Sequence, residues 1–113
     1  MERITFKRNY NHKLGNNYFI TIREKASKWL VGEVYEVFDK ESCSTRGHGK
    51  IIEIREITTH DLNDWVTFLD AGLSASEFIL ELESFYGPEI RLKRLQLLLF
   101  QRVQVKHVQA TLF

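Results

Sequence analysis

The sequence predicts an α+β domain: a small β-barrel of five to six strands with a short N-terminal helix and two helices inserted before the last strand. Three observations predict it. Short runs of alternating apolar and polar residues fill the first half of the chain, the mark of half-buried strands. Two capped amphipathic segments follow between residues 59 and 87. A final apolar run, "LQLLLF", is strand-sized and must return to the sheet after the helices. So many strands in so short a chain would curl to hide their edges.

"RITF" (Arg3–Phe6) alternates as a short strand, and "KRNYNHKL" (Lys7–Leu14) can make two helical turns that stop at Gly15. "YFITIRE" has strand composition, with Phe19, Thr21 and Arg23 on one side and Ile20 and Ile22 on the other. After a turn at Gly32, "EVYEVFD" (Glu33–Asp39) alternates strongly. "CSTRGHGK" (Cys43–Lys50) reads as turn chemistry, followed by a strand from Ile51 to Thr58. Thr59 or Asp61 would cap the first inserted helix, whose apolar face is Leu62, Trp65, Val66 and Leu69, with Gly72 as its stop. Ser74 and Glu77 form a capping box for the second, whose apolar residues are Phe78, Ile79, Leu82, Phe85 and Tyr86, and Gly87-Pro88 ends it. Leu95, Leu97 and Leu99 share one side of the last strand, and the tail "KHVQATLF" would extend it.

At 113 residues the chain is read as one domain over 1–113, with a core over 4–103 and a C-terminal extension over 104–113. No apolar run approaches the roughly 20 residues of a membrane helix, and "MERITFKRNYNHK" is too charged for a signal peptide. The single cysteine, Cys43, requires no oxidising compartment, so a soluble cytoplasmic protein is expected. Residues 1–30 carry a charge of +5, residues 31–90 carry −9 and residues 91–113 carry +5. If the two ends lie side by side they make one basic face, suited to nucleic acid. Segregation among ordinary surface positions would give the same totals.

His12, His48, His60 and His107 are scattered, so no metal site is expected, and no motif calls for a cofactor. Cys43 and His48 lack the third group that a thiol–imidazole pair needs. Thr21 and Arg23 could line a cleft, with the arginine on a phosphate or base edge, or could face water on an ordinary strand. Tyr18 and Phe19 could stack on a base, or pack as core. Lys7, Arg8 and Lys13 suit phosphate contact or a solvated face, whereas Trp65 on its helical face reads as core.

The order of these motifs resembles the ASCH family of the PUA-like superfamily, small barrels associated with RNA. The resemblance runs from Ile4 to Val103. It is carried by the opening "ITF" strand, by Thr21-Ile22-Arg23 after a glycine turn, by "WLVGEVYEV" (Trp29–Val37), and by "GLSASEFILELESFYG" ahead of "LQLLLFQRV". Within the family the chain is most similar to small bacterial acetylcytidine amidohydrolases. These carry a Gly-x-Lys-Thr-x-Thr-x-Arg segment and a glutamate just before the last helix. Thr21 matches the second threonine and Arg23 the arginine. Tyr18 stands at the lysine position, Phe19 at the first threonine, and Ala71 at the glutamate, with Asp70 adjacent; Gly15 lies one residue early.

The resemblance implies a PUA-like barrel that binds RNA or a nucleotide-like ligand in a cleft beside Tyr18–Arg23. Tyr18 would stack, Thr21 and Arg23 would make polar contacts, and Lys7 and Arg8 would meet the backbone. The alternative it implies is an amidohydrolase of acetylated cytidine nucleosides with a diverged site, using Thr21 and Asp70. A third reading takes the tail from Gln101 to Phe113 as a strand that pairs with another chain, giving a dimer.

Overall fold

The structure is a computed structural model and describes residues 1–105. Five strands form one mixed sheet: β1 (Arg3–Phe6), β2 (Tyr18–Glu24), β3 (Val34–Asp39), β4 (Ser44–Ile57) and β5 (Leu95–Val103). Their spatial order is β1-β3-β4-β5-β2, with β1 parallel to β3 and the other neighbours antiparallel. Two helices, α1 (Asp64–Ala71) and α2 (Ala75–Tyr86), lie between β4 and β5, and three short 3-10 turns link the elements. The class is therefore α+β, as the patterning predicts.

The sheet curls into a half-barrel. Its edge strands β1 and β2 form no ladder with each other. Their side chains nevertheless meet, with the Phe6 ring edge-on to Phe19 at 6.0 Å and the Arg23 guanidinium 4.6 Å above Phe6. Inside the curl, Ile4, Phe6, Leu14, Phe19, Trp29, Tyr35, Val37, Ile51, Leu98 and Phe100 form one core. A second core joins Ile22 and Leu95 of the sheet to Phe78 and Leu82 of α2 and to Ile90. Period-two alternation explains the division, since Phe19, Thr21 and Arg23 share one side of β2 and Ile22 takes the other.

Several expectations need correction. β4 begins at Ser44, not Ile51, so "STRGHG" is strand rather than turn. The glycines serve close packing there: a Cβ on Gly49 would sit 2.8 Å from Phe100 Cδ1. The segment after β1 is a kinked 3-10 turn over Tyr10–Gly15 rather than two α-helical turns. Thr59–Asp61 is a separate turn, closed by a capping box of Thr58 and Asp61, and Asn63 caps α1 through Val66 N–H at 3.1 Å. Trp65 is not core, being 81% exposed, while Thr67 and Asp70 are the buried residues of α1. The helix is rotated so that its polar Thr67–Asp70 stripe, not its Trp65–Leu69 stripe, faces the sheet.

The expected capping box of α2 is present, with Ser74 N–H donating to Glu77 Oε1 at 3.0 Å and Glu77 N–H to Ser74 Oγ. On β5 the side bearing Leu95 and Leu97 packs toward the helices, and Leu98 and Phe100 fill the curl. The expected strand extension over 106–113 lies outside the described residues. No helix among the described residues is long and apolar enough to cross a membrane.

Candidate functional site

The open seam of the half-barrel faces α2, and between them lies a cavity of about 290 Å³. β1 supplies Phe6, β2 supplies Thr21 and Arg23, α1 supplies Asp70, and α2 supplies Phe78, Glu81 and Tyr86. Lys13 enters from the 3-10 turn. The lining mixes apolar side chains with a few charged and polar ones, the usual composition of a small-molecule site.

The backbone explains how a lysine from a charged, polar segment becomes buried. Asn11 and His12 both adopt left-handed dihedrals (φ 57 and 53), which fold the turn back on itself. Asn11 then donates from Nδ2 to the Phe68 carbonyl at 3.0 Å, fastening the turn to the end of α1. Asn9 Oδ1 accepts from Leu14 N–H at 2.9 Å, closing the same loop. Gly72, left-handed at φ 74, ends α1 directly after the site. These contacts put Lys13 Nζ on Asp70 Oδ1 as an ion pair, with the residues only 3% and 4% exposed.

Burial dominates the protonation of this pair. Desolvation pushes the Lys13 ammonium down and the Asp70 carboxyl up, and each partner partly restrains the other. Arg23 adds to the shift of Lys13 by disfavouring its charge and opposes that of Asp70 by favouring the carboxylate, as an Ile22 backbone hydrogen bond also does. Lys13 is therefore easier to deprotonate than a surface lysine, the direction that favours a role as a general base.

Thr21 is buried, and its Oγ1 accepts a hydrogen bond from Arg23 Nε at 3.1 Å. Burial lowers the Arg23 pKa, and Tyr86 and Asp70 oppose the shift. Arg23 makes no ion pair among the described residues. No fully buried side-chain nitrogen or oxygen among them lacks a partner, so the unengaged Nη groups of Arg23 open onto the cavity it lines. On the opposite wall, the Tyr10 hydroxyl donates to Glu81 Oε2 at 3.2 Å, and burial with Glu81 raises the Tyr10 pKa.

Of the residues proposed from sequence, Thr21, Arg23, Asp70 and Lys7 line this cavity. Tyr18 and Arg8 do not. Tyr18 is 56% exposed at the far end of β2, where its hydroxyl accepts from Gln101 Nε2 at 3.3 Å. Phe19 stacks on Phe100 at 5.2 Å inside the curl, which makes it core rather than a platform for a base. Lys13 appeared in sequence only as a surface or phosphate contact, Tyr86 only on the apolar face of the second helix, and Tyr10, Lys40 and Glu81 carried no signal. Their convergence depends on contacts between residues up to 71 positions apart, such as Tyr10 with Glu81.

Among the described residues much of the basic charge at the two ends is paired, although Lys7, Arg8, Arg23 and Lys28 form no ion pair. Arg3 pairs with Glu36, Lys25 and Arg94 with Glu56, Lys93 with Glu24, and Arg91 with Glu83. Arg102 is spent on backbone carbonyls of Leu14, Asn16 and Arg46. A second hollow, beside Leu30 and Tyr35, is lined by Lys28, Glu2 and Glu33 and holds no buried ion pair. Among the described residues no group of three His, Cys, Asp or Glu is placed to hold a metal. No family model matches the chain, and no curated protein or solved structure matches it.

Proposed function

We propose that the protein is a PUA-like domain of ASCH type that binds a nucleoside-like ligand in the cavity at the seam of the half-barrel. One observation carries the reading: Thr21 and Arg23, the two positions that fit the family's strand, line a cavity that also holds the buried Lys13–Asp70 pair. The cavity's volume is at the lower limit of small-molecule sites, enough for a nucleoside rather than a length of RNA. The pairing of Arg3, Lys25, Arg91, Lys93 and Arg94 with acids supports the same choice, because binding to an RNA backbone draws on unpaired surface cations. An apolar wall of Leu73, Phe78, Leu82 and Phe85 would take the base, and Arg23, Thr21 and Tyr86 would supply polar contacts. Titration calorimetry with the four nucleosides and acetylcytidine tests it. At least one should bind the wild type and weaken about tenfold or more in Thr21→Val, the loss of one buried hydrogen-bonding group. Absence of binding by all five contradicts the reading.

A second reading, amide hydrolysis of an acetylated cytidine, is favoured by the chemistry of Lys13 and Asp70. The lysine and acid of the hydrolase pattern are missing from their expected positions, yet an amine and a carboxyl reach the Thr21 cavity from the 3-10 turn and from α1. In this scheme Lys13, made less basic by burial, accepts a proton from an attacking water, whose oxygen bonds to the acetyl carbon. The C–N bond breaks, the leaving amine takes that proton from the Lys13–Asp70 pair, and acetate departs; if Thr21 attacks in place of water, the C–N bond breaks in the same way and a water then hydrolyses the Thr21 ester to release acetate. Incubation with acetylcytidine should release cytidine and acetate at a rate that rises with pH as Lys13 deprotonates and that is abolished in Lys13→Met. Acetylcytidine that binds and is not turned over leaves the binding reading alone.

A further inference from the structure

We infer that the ligand carries a phosphate monoester, bound by Arg23 with Lys7 and Lys40. The inference rests on the nucleoside reading for the base end of the ligand, and on charge and geometry for its anionic end.

Three cations line one end of the cavity, beside β1. Arg23 stacks on Phe6, Lys7 follows Phe6 in the chain, and Lys40 N–H is bonded to the Phe6 carbonyl at 2.8 Å. All three line the cavity. None forms an ion pair among the described residues, although Lys7 Nζ lies 4.9 Å from the centre of the Phe85 ring. The neighbouring carboxylate Asp39 does not line the cavity; it faces Arg46 at 3.9 Å and accepts from Glu41 N–H.

The remaining charges set the ligand's class. Lys13 and Asp70 cancel, which leaves Arg23, Lys7 and Lys40 against Glu81, an excess of two positive charges. A phosphate monoester carries a charge of about −1.5 to −2 at neutral pH and matches that excess. A carboxylate or phosphodiester carries one charge and leaves a cation uncompensated. Arg23 has its Nε fixed by Thr21 and its face on Phe6, which holds the Nη groups ready for paired bonds to phosphate oxygens.

The test is calorimetry at low salt with inorganic phosphate, the four nucleosides, their 5′-monophosphates, and the monophosphate methyl esters. The proteins are the wild type, Arg23→Met, and Lys7→Gln with Lys40→Gln. The double lysine variant changes exposed side chains and keeps the test valid if Arg23→Met fails to fold. The monophosphate of whichever nucleoside binds should bind at least about tenfold tighter than the nucleoside, and the methyl ester should lose most of that gain. Either variant should remove the preference. Equal affinity for nucleoside and monophosphate, or a preference that survives both variants, overturns the phosphate assignment and leaves the nucleoside reading standing. Phosphate binding that the variants weaken, without any nucleoside affinity, upholds the anion site and ends the nucleoside reading. Failure of every probe to bind ends both.

Discussion

Lys13 and Asp70 are the pair on which the site turns, and their energetics separate structure from function. Removing one partner leaves the other charged and buried, which costs about 3–5 kcal/mol in comparable pairs. Lys13→Met and Asp70→Asn should each lower stability by that order in chemical denaturation. Replacing both with apolar residues, as in Lys13→Met with Asp70→Leu, should recover most of the loss because no charge is then stranded. The double variant should still fail to process or hold ligand. Asp70 also differs from ordinary carboxylates in its pH behaviour. Its folded pKa is raised, so its stabilising contribution is full in acid and is lost as pH rises through the folded value. The residue types at this site were only partly legible in the sequence. Thr21 and Arg23 could be found because they sit on an alternating strand, whose inward side follows from period two. Lys13 could not, since two left-handed residues and an asparagine bond to α1 turn it inward.

At the level of elements, α1 and α2 show where local signals suffice. The Ser74–Glu77 box is encoded within four residues and forms as read. Ser74→Ala should therefore cost about 1 kcal/mol, measurable as a shift of the denaturation midpoint. The Ser74 amide and hydroxyl hold the Glu77 carboxyl below its ordinary range. Its contribution is thus full above about pH 4.3 and is lost as pH falls through the lower folded value. Glu77→Gln should flatten the acid limb of a melting-temperature profile between about pH 5 and pH 3. α1 shows the opposite case. Its apolar stripe suggests a buried Trp65, but the helix turns Asp70 toward Lys13 and leaves the indole exposed. Trp65→Ala should change stability by no more than about 0.5 kcal/mol, whereas a core tryptophan would cost about 3–5 kcal/mol. Calorimetric melting of that one variant distinguishes the two. Periodicity alone could not choose between the stripes, because the choice depends on a partner 57 residues away.

Across the molecule, the half-barrel and the site are one construction. β1 and β2 are the first strands in sequence and, among the described residues, the two edges of the sheet, so the curl that brings Phe6 to Phe19 also forms the cavity mouth. The α+β order and the returning last strand were legible because alternation and caps are local signals. The curl was anticipated from the cost of exposed edges. A cleft beside Tyr18–Arg23 was expected from the resemblance, but its far wall was not, since the cavity arises where an unpaired seam meets helices inserted much later in the chain. The closeness of Lys13, Thr21, Arg23 and Asp70 is what makes ligand binding at the seam the central claim. Two-dimensional amide NMR with a nucleoside 5′-monophosphate tests it most directly. Saturable shifts confined to residues 5–7, 10, 13, 21–23, 40, 70–73 and 78–86 are the expected result. Shifts spread over the exposed end of β2 at Tyr18 or over β4, with none at Thr21, Arg23 and Asp70, would contradict it.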